Sequence, residues 1–150
     1  MTVSLKCVVD ASVGIKKFII EPLTPKVDRL LAHLNDPDAR LYIPDLFYIE
    51  CTNTAWKYIR AGLYNLAEAQ ANLADLKLLR FTAIPTVDLM LEALILSATY
   101  GISAYDACYV ALSQRNNVPL LTQDRRLVNT LKNKDFDIQL FSDFSIPPLP

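Results

Sequence analysis

The sequence is poor in the residues that build phosphate-binding loops and in those that bind zinc. Only three of its 150 residues are glycine, and none belongs to a G-x-G-x-x-G loop, which excludes a dinucleotide-binding module of that type. His33 is the only histidine and no C-x-x-C pair occurs, so a structural zinc site is excluded as well. Cys7, Cys51 and Cys108 are odd in number and lie in apolar segments, which indicates buried free thiols rather than disulfides.

The sequence also lacks an excess of positive charge and a long apolar run. Its 15 Lys and Arg residues stand against 16 Asp and Glu residues, and its pI near 5.8 is far below the value of about 9 that is usual for a broadly basic nucleic-acid binder. Any nucleic acid must therefore be held locally. No segment has the length of a signal peptide core or of a membrane helix of about 20 residues. We expect a cytoplasmic protein with no membrane partner.

What the sequence does contain is an alternation of short apolar runs and longer segments of helical period. At 150 residues and 52% hydrophobic composition, it predicts a single domain over 1–150 with a substantial core. The alternation is typical of a three-layer α/β domain with a mostly parallel sheet of four or five strands. Strands are predicted at 5–9, 41–43, 81–84, 119–122 and 138–141. Helices are predicted at 11–20, 26–34, 46–61, 65–79, 87–100, 103–115 and 124–132.

Two of these helices, within 46–79, form a predicted helical arm. Asp45 can cap the first of them and Asn65 opens the second, because both residue types are favoured at helix N-termini. Gly101 is expected to end the helix at 87–100, since glycine readily adopts the left-handed conformation of that position.

Four carboxylates mark the places where predicted strands lead into helices, or the first turns of those helices: Asp10, Glu50, Asp106 and Asp124. In an open α/β sheet these positions meet at one edge, where ligands bind. Like charges about 4 Å apart repel by on the order of 4 kcal/mol at an effective dielectric near 20, so a cation is needed among them. Oxygen ligands of this kind suit Mg²⁺ or Mn²⁺, which activate water in phosphodiester cleavage.

Each acid also has a purely structural interpretation. Asp10 and Asp124 could cap the helices that follow them, and Asp106 lies three residues after Ser103 in a variant of the capping box. Glu50 is harder to explain in this way, because it lies mid-helix in an apolar segment and a buried carboxylate needs a partner. Asn53 and Lys57 share its helix face at i+3 and i+7 and could supply hydrogen bonds or extend a polar groove.

Four blocks of the sequence, in the same order, resemble the PIN domain family, and among its members the VapC toxins of bacterial toxin-antitoxin pairs. They are VVDASV at 8–13, IECTN at 49–53, SAYDACYVA at 103–111 and LTQDRRL at 121–127. The resemblance implies a metal-dependent endoribonuclease whose acidic cluster is Asp10, Glu50, Asp106 and Asp124, with Ser12 and Thr122 as polar supports. It also implies a small antitoxin protein as partner. Lys17 departs from the aromatic residue usual in the family.

Within such a cluster we expect Asp10 and Asp106 to be direct Mg²⁺ or Mn²⁺ ligands, with Glu50 and Asp124 ligating or orienting water. Basic residues near the acids in sequence are candidates for phosphate contacts, although ordinary solvated charge explains them equally well. These residues are Lys16, Lys17, Lys57, Arg60, Arg125 and Arg126.

The arm carries more large apolar and aromatic residues than one core face requires, which favours a homodimer surface, an antitoxin groove or both. These residues are Phe47, Trp56, Tyr58, Leu63 and Tyr64. A non-catalytic RNA-binding or scaffold protein on a PIN-like fold, and a housekeeping RNA-processing nuclease, remain the alternatives.

Overall fold

The computed structural model describes residues 3–150, and at its centre lies a parallel sheet of five strands in the order β3-β2-β1-β4-β5. Val8 in the middle strand is opposite Tyr42 on one side and Leu120 on the other. The predicted α/β class with a parallel sheet is confirmed. The strands are β1 (Lys6–Val9), β2 (Arg40–Pro44), β3 (Thr82–Ile84), β4 (Leu120–Thr122) and β5 (Ile138–Leu140).

Helices connect the strands, as parallel pairing requires. Single-turn 3₁₀ segments lie at Ile15–Lys17, His33–Asn35, Thr86–Asp88 and Phe141–Asp143. No helix within residues 3–150 has both the length and the apolar character needed to cross a membrane. The α-helices are α1 (Ala11–Gly14), α2 (Thr24–Ala32), α3 (Leu46–Arg60), α4 (Leu66–Leu78), α5 (Met90–Tyr100), α6 (Ala104–Asn116) and α7 (Arg125–Leu131).

Helix α6 is the central element of the core on one side of the sheet. It contacts β1, β2 and β4, and it packs along α5 on its other side. Seven consecutive residues from Ala107 to Ser113 are buried as a result. The first turn of α6 is more exposed, and Asp106 lies there, directly before the buried segment.

The predicted helix over 11–20 is wrong beyond its first turn. Helix α1 ends at Gly14, and a 3₁₀ turn follows. Gly14 lies against the ring of Phe47, where an added Cβ would come within 2.6 Å of the ring Cζ. The chain then turns away, because the Thr24 hydroxyl donates to the carbonyl of Lys16 at 2.9 Å. Ile20 is left 91% exposed.

The predicted caps are confirmed at two positions and wrong at one. Asn65 Oδ1 accepts hydrogen bonds from the backbone N–H groups that open α4, and Gly101 ends α5 with φ of 71°. Asp45 precedes α3 without a side-chain capping bond. Its carboxylate instead accepts from the backbone N–H of Thr86 at 2.9 Å, tying the start of the arm to the segment after β3.

Candidate active site at the carboxyl edge of the sheet

The four predicted acids line one cleft of about 760 Å³. Asp10 directly follows β1 and Asp124 lies between β4 and α7, so neighbouring strands bring them together. Glu50 comes from α3 and Asp106 from the first turn of α6. The cleft is lined by Asp10, Ala11, Ser12, Ile49, Glu50, Thr52, Asn53, Thr54, Trp56, Lys57, Tyr105, Asp106 and Asp124.

Asp10 is held by two hydroxyl groups from different parts of the chain. Ser12 Oγ and Thr122 Oγ1 both donate to its Oδ2, at 2.6 and 2.8 Å. Each hydroxyl in turn accepts a backbone N–H at 3.1 Å, Ser12 from Gln123 and Thr122 from Asp124. Both hydroxyl protons are therefore directed at Oδ2, while Oδ1 accepts neither of them.

The capping interpretation of Asp10 is wrong, since its side chain makes no capping bond to α1. The residue is 8% exposed, and this burial raises the pKa of its carboxyl despite the hydrogen bonds from Ser12 and Thr122, with a further contribution from the charge of Asp124. A buried carboxylate with no structural duty as a cap is a candidate for chemistry.

Glu50 accepts a hydrogen bond at 2.7 Å from the phenol of Tyr109, a buried residue of α6. Partial burial raises the pKa of Glu50, the Tyr109 hydrogen bond opposes that change, and the charges of Asp10 and Asp106 add to it. Its neighbours are less uniformly buried than predicted, because Ile49 is 66% exposed.

Asp106 and Asp124 combine a structural position with a place in the cleft. Ser103 Oγ caps α6 by accepting from the backbone N–H of Asp106 at 3.1 Å, whereas Asp124 Oδ1 itself caps α7 by accepting from Leu127 N–H at 3.0 Å. Burial and the charges of Asp10 and Asp124 raise the pKa of Asp106. The Asp124 cap occupies one oxygen, so the predicted capping role does not exclude a second role for the other.

The cluster lacks a cationic partner within the described part of the chain. None of the ion pairs found there involves these four acids, and the carboxylates raise one another's pKa instead. Among residues 3–150, no three His, Cys, Asp or Glu side chains already form a metal-binding group. The acids thus share a cleft and an electrostatic field, and the carboxylates of Asp10, Glu50 and Asp124 are held by separate hydrogen bonds.

Of the predicted polar and basic residues, Ser12, Asn53 and Lys57 line the cleft, and Thr122 lies buried beneath it. Lys16 instead faces Glu21 at 3.5 Å and Lys17 pairs with Asp28 at 2.9 Å. Arg125 lines a separate cleft beside α7 and β5. Of the six basic residues predicted as candidates for phosphate contacts, the structure thus places only Lys57 in the lining of the cleft.

Sequence reasoning missed Tyr109 and did not place Trp56 or Tyr105 at the site. Tyr109 follows Asp106 by three residues, a spacing that puts both on one face of α6 and would have suggested a contact near the acids. Tyr105 directly precedes Asp106, and Trp56 follows Asn53 by three residues on α3.

Comparison with known proteins identifies the family of the chain. The family model described as PIN domain matches residues 7–133, which include all four acids. The chain belongs to the PIN domain family. The predicted resemblance is thereby confirmed, and the match begins in β1 and extends past α7.

Relatives of this PIN domain chain include a curated protein and several solved structures. It is 32% identical over 127 residues to Ribonuclease VapC3 of Pyrobaculum aerophilum, covering 82% of this chain and 92% of that protein. A crystal structure of a Pyrobaculum aerophilum protein has a TM-score of 0.69 at 25% identity, covering 93% of this chain and 86% of that one. A chain of a toxin-antitoxin complex from Klebsiella pneumoniae shares the fold, with a TM-score of 0.63 at 17% identity and coverages of 93% and 99%.

Proposed function

We propose that this chain is an endoribonuclease that cleaves RNA phosphodiester bonds with a divalent metal ion, Mg²⁺ or Mn²⁺. The observation that carries the proposal is the single cleft shared by four carboxylates that have no cationic partner among residues 3–150. Membership of the PIN domain family and the 32% identity to Ribonuclease VapC3 support RNA as the substrate.

The residues of the cleft fit such an ion by charge and by atom type. Carboxylate oxygens are ligands that Mg²⁺ and Mn²⁺ prefer. Burial raises the pKa of Glu50 and Asp106, the charges of neighbouring acids raise it further, and a cation would relieve that repulsion. Asp10 and Asp106 would hold the ion directly, while Glu50 and Asp124 would ligate it or orient water. Because their oxygens do not yet converge, binding would involve a change of rotamer at one or more of these acids.

When bound, the ion supplies a water molecule of lowered pKa and stabilises charge on the leaving oxygen. The protein supplies the positions. Ser12 and Thr122 fix Oδ2 of Asp10, so that Oδ1 stays available to the cleft. Tyr109 fixes Oε1 of Glu50 in the same manner. Lys57 lines the cleft and forms no ion pair within residues 3–150, so it is free to contact a phosphate.

The same proposal includes a protein partner: the chain would be the toxin of a toxin-antitoxin pair. An antitoxin segment could insert an Arg or Lys side chain among the acids and so exclude the metal ion. An apolar groove of about 440 Å³ between α3 and α4, near the cleft, would anchor such a segment. It is lined by Tyr48, Thr52, Leu73, Leu76 and Lys77.

A homodimer is part of the proposal as well, and the structure offers two surfaces for it. In the arm, Phe47 is fully buried and belongs to the core, whereas Leu63 is 73% exposed. Helix α5 and the turn before it expose a more continuous apolar stripe, on the side of α5 that faces away from α6. Its members are Val87, Met90, Leu91, Leu94 and Ile95.

The direct test is cleavage of a labelled RNA by purified protein with Mg²⁺, with Mn²⁺ and with EDTA. We expect cleavage only with the metal ions, and none by Asp10→Asn. Cleavage that survives EDTA would falsify the metal-dependent mechanism. Absence of cleavage under all conditions, together with metal-independent RNA binding, would favour a non-catalytic RNA-binding or scaffold role.

Expression in bacteria tests the toxin assignment separately. The wild-type chain should slow growth, Asp10→Asn should not, and co-expression of a small protein encoded beside it should restore growth by forming a stable complex. A nuclease that is active in the cleavage assay but harmless on expression is instead a housekeeping RNA-processing enzyme.

A further inference from the structure

The mouth of the acidic cleft carries large apolar side chains that the fold does not use. Trp56 is 52% exposed, and Tyr105 and Ile49 are each 66% exposed. All three line the cleft together with the acids. Scattered exposed apolar residues are ordinary on a protein surface, but here they share one concave site with the groups to which chemistry is assigned.

Two of these side chains directly precede an acid in the sequence, and the third lies on the same helix as Glu50. Tyr105 precedes Asp106 in the first turn of α6, and Ile49 precedes Glu50 on α3. Trp56 lies farther along α3, at i+6 from Glu50. A ligand whose reacting group meets the carboxylates would therefore bring its neighbouring parts against these side chains.

Two positively charged side chains lie near Trp56. The Arg60 guanidinium lies over the Trp56 ring, with its Cζ 5.9 Å from the ring centroid, and Lys57 is the next residue along the cleft wall. An aromatic ring with adjacent positive charge is the combination that binds single-stranded nucleic acid, in which bases stack on rings and phosphates meet Lys or Arg.

We propose that the cleft binds unpaired bases of single-stranded RNA by stacking them on Trp56 and Tyr105, while the attached phosphate lies at the acids. This inference rests on the proposed nuclease function. Bases in a duplex are already stacked on one another and their faces are not accessible, so the site discriminates against paired RNA. Stacking requires only a flat base, so the preference is for strandedness rather than for a particular sequence.

The chain offers a direct probe of this site, because Trp56 is its only tryptophan. Intrinsic tryptophan fluorescence therefore reports on this one position. We would titrate the Asp10→Asn protein in Mg²⁺, where the cluster can hold a cation and no cleavage is expected, with a mixed-sequence 12-nucleotide RNA and with the same RNA annealed to its complement. We expect strong quenching by the single strand and little by the duplex.

Substitutions then measure the contribution of the ring, with a fluorescein-labelled RNA as the binding probe. Trp56→Ala should weaken single-strand binding by about 5- to 150-fold, the range that loss of one stacked base produces, whereas Trp56→Phe should retain most of it. Tyr58→Ala is the matched control, because Tyr58 belongs to the same helix but lines a different cleft. It should bind as the wild type does, with folding of every variant checked by thermal unfolding.

Equal quenching by single strand and duplex, absence of binding, or wild-type affinity in Trp56→Ala would each overturn the proposal. A blue shift of Trp56 emission that grows with protein concentration without RNA would also overturn it, in favour of a protein interface at this wall. Metal-dependent cleavage is measured independently. A wild-type protein that cleaves RNA while Trp56 stays silent refutes the stacking site alone, whereas absence of cleavage with intact stacking refutes the nuclease function.

Discussion

The two sides of the acidic cleft hold their carboxylates by different means. On the strand side, Asp10 is buried and receives both hydroxyl protons of Ser12 and Thr122, which are themselves tied to the backbone around Asp124. On the helix side, Glu50 is partly exposed and has one side-chain hydrogen bond, from Tyr109.

The difference indicates a division between a fixed and an adjustable half. Two hydroxyl groups and the paired strands β1 and β4 determine where Asp10 lies, so its position changes little without disrupting the sheet edge. Glu50 extends from a helix on a longer side chain and is held at Oε1 alone, so its other oxygen can reorient about the Tyr109 hydrogen bond. If the cleft held a cation, the helix-side acids would adjust toward Asp10 rather than the reverse.

The largest expected effect comes from removing charge on either side. Asp10→Asn and Asp106→Asn should each reduce metal-dependent RNA cleavage by about 100-fold or more, because an ion contributes several kcal/mol to stabilising the transition state. Single-turnover cleavage of a labelled RNA measures this. Asp75→Asn, which removes an exposed acid of α4, is the control and should cleave normally. Near-normal cleavage by Asp10→Asn would show that the strand-side carboxylate is not needed for cleavage, and the comparison of the two sides would then have no bearing on catalysis.

The second prediction concerns the rigidity of the strand side. Thr122→Val removes the hydroxyl that donates to Asp10 and accepts from Asp124 N–H, and Thr122 is fully buried. We expect a loss of about 1.5 to 3 kcal/mol in the free energy of unfolding, the usual range for a hydrogen bond to a charged group. Urea unfolding in EDTA measures it. Ser12→Ala should lower the free energy of unfolding by less, because Ser12 is partly exposed and water can replace its hydroxyl. An equal loss in both variants would contradict the inference that the buried Thr122 hydroxyl holds Asp10 more firmly.

The sequence pattern also predicted the location of the acids on the strand side of the cleft. Strand-end acids follow from the alternation of apolar runs and helices, since parallel topology forces the carboxyl ends of β1 and β4 to one edge. The partner of Glu50 was not foreseen, because Tyr109 lies 59 residues away and reads as one more apolar residue of a buried helix.

Local errors had a similar origin in contacts between distant segments. The helix predicted to extend to Ile20 gives way to a 3₁₀ turn after Gly14, where the chain packs against the ring of Phe47. Asp45 is a favoured cap residue, yet its carboxylate bonds to Thr86 across the start of the arm. Propensity and periodicity carry no information about which distant backbone group competes for a side chain.

The third prediction tests the adjustable side. Tyr109→Phe removes only the phenol oxygen that donates to Glu50, so the fold should persist while the carboxylate loses its orientation. We expect Mn²⁺ binding, measured by calorimetry, to weaken by about 5-fold, as loss of roughly 1 kcal/mol implies. Tyr105→Phe is the matched control, because that phenol lies on the exposed rim of the cleft. Unchanged Mn²⁺ affinity in Tyr109→Phe would place Glu50 outside the metal-binding set.

The smallest effect is the pH dependence of the metal-free protein. Burial and mutual repulsion raise the pKa values of Asp10, Glu50 and Asp106 in the folded state, so the folded chain binds protons more tightly than the unfolded chain. The resulting stabilisation is fully present below the unfolded pKa values of about 3.9 to 4.3, and it is lost as the pH rises through the higher folded values.

In EDTA, Asp106→Asn should therefore gain in Tm relative to wild type as the pH rises from about 4 to 7, since the variant no longer carries one of the repelling charges. Scanning calorimetry across that interval measures the difference between the two proteins, which cancels contributions from the other titrating groups. A Tm difference between the two proteins that stays constant with pH would mean that the acids do not repel one another in the folded protein. In that case Mg²⁺ at neutral pH should also fail to raise the Tm of the wild type above that of the variant.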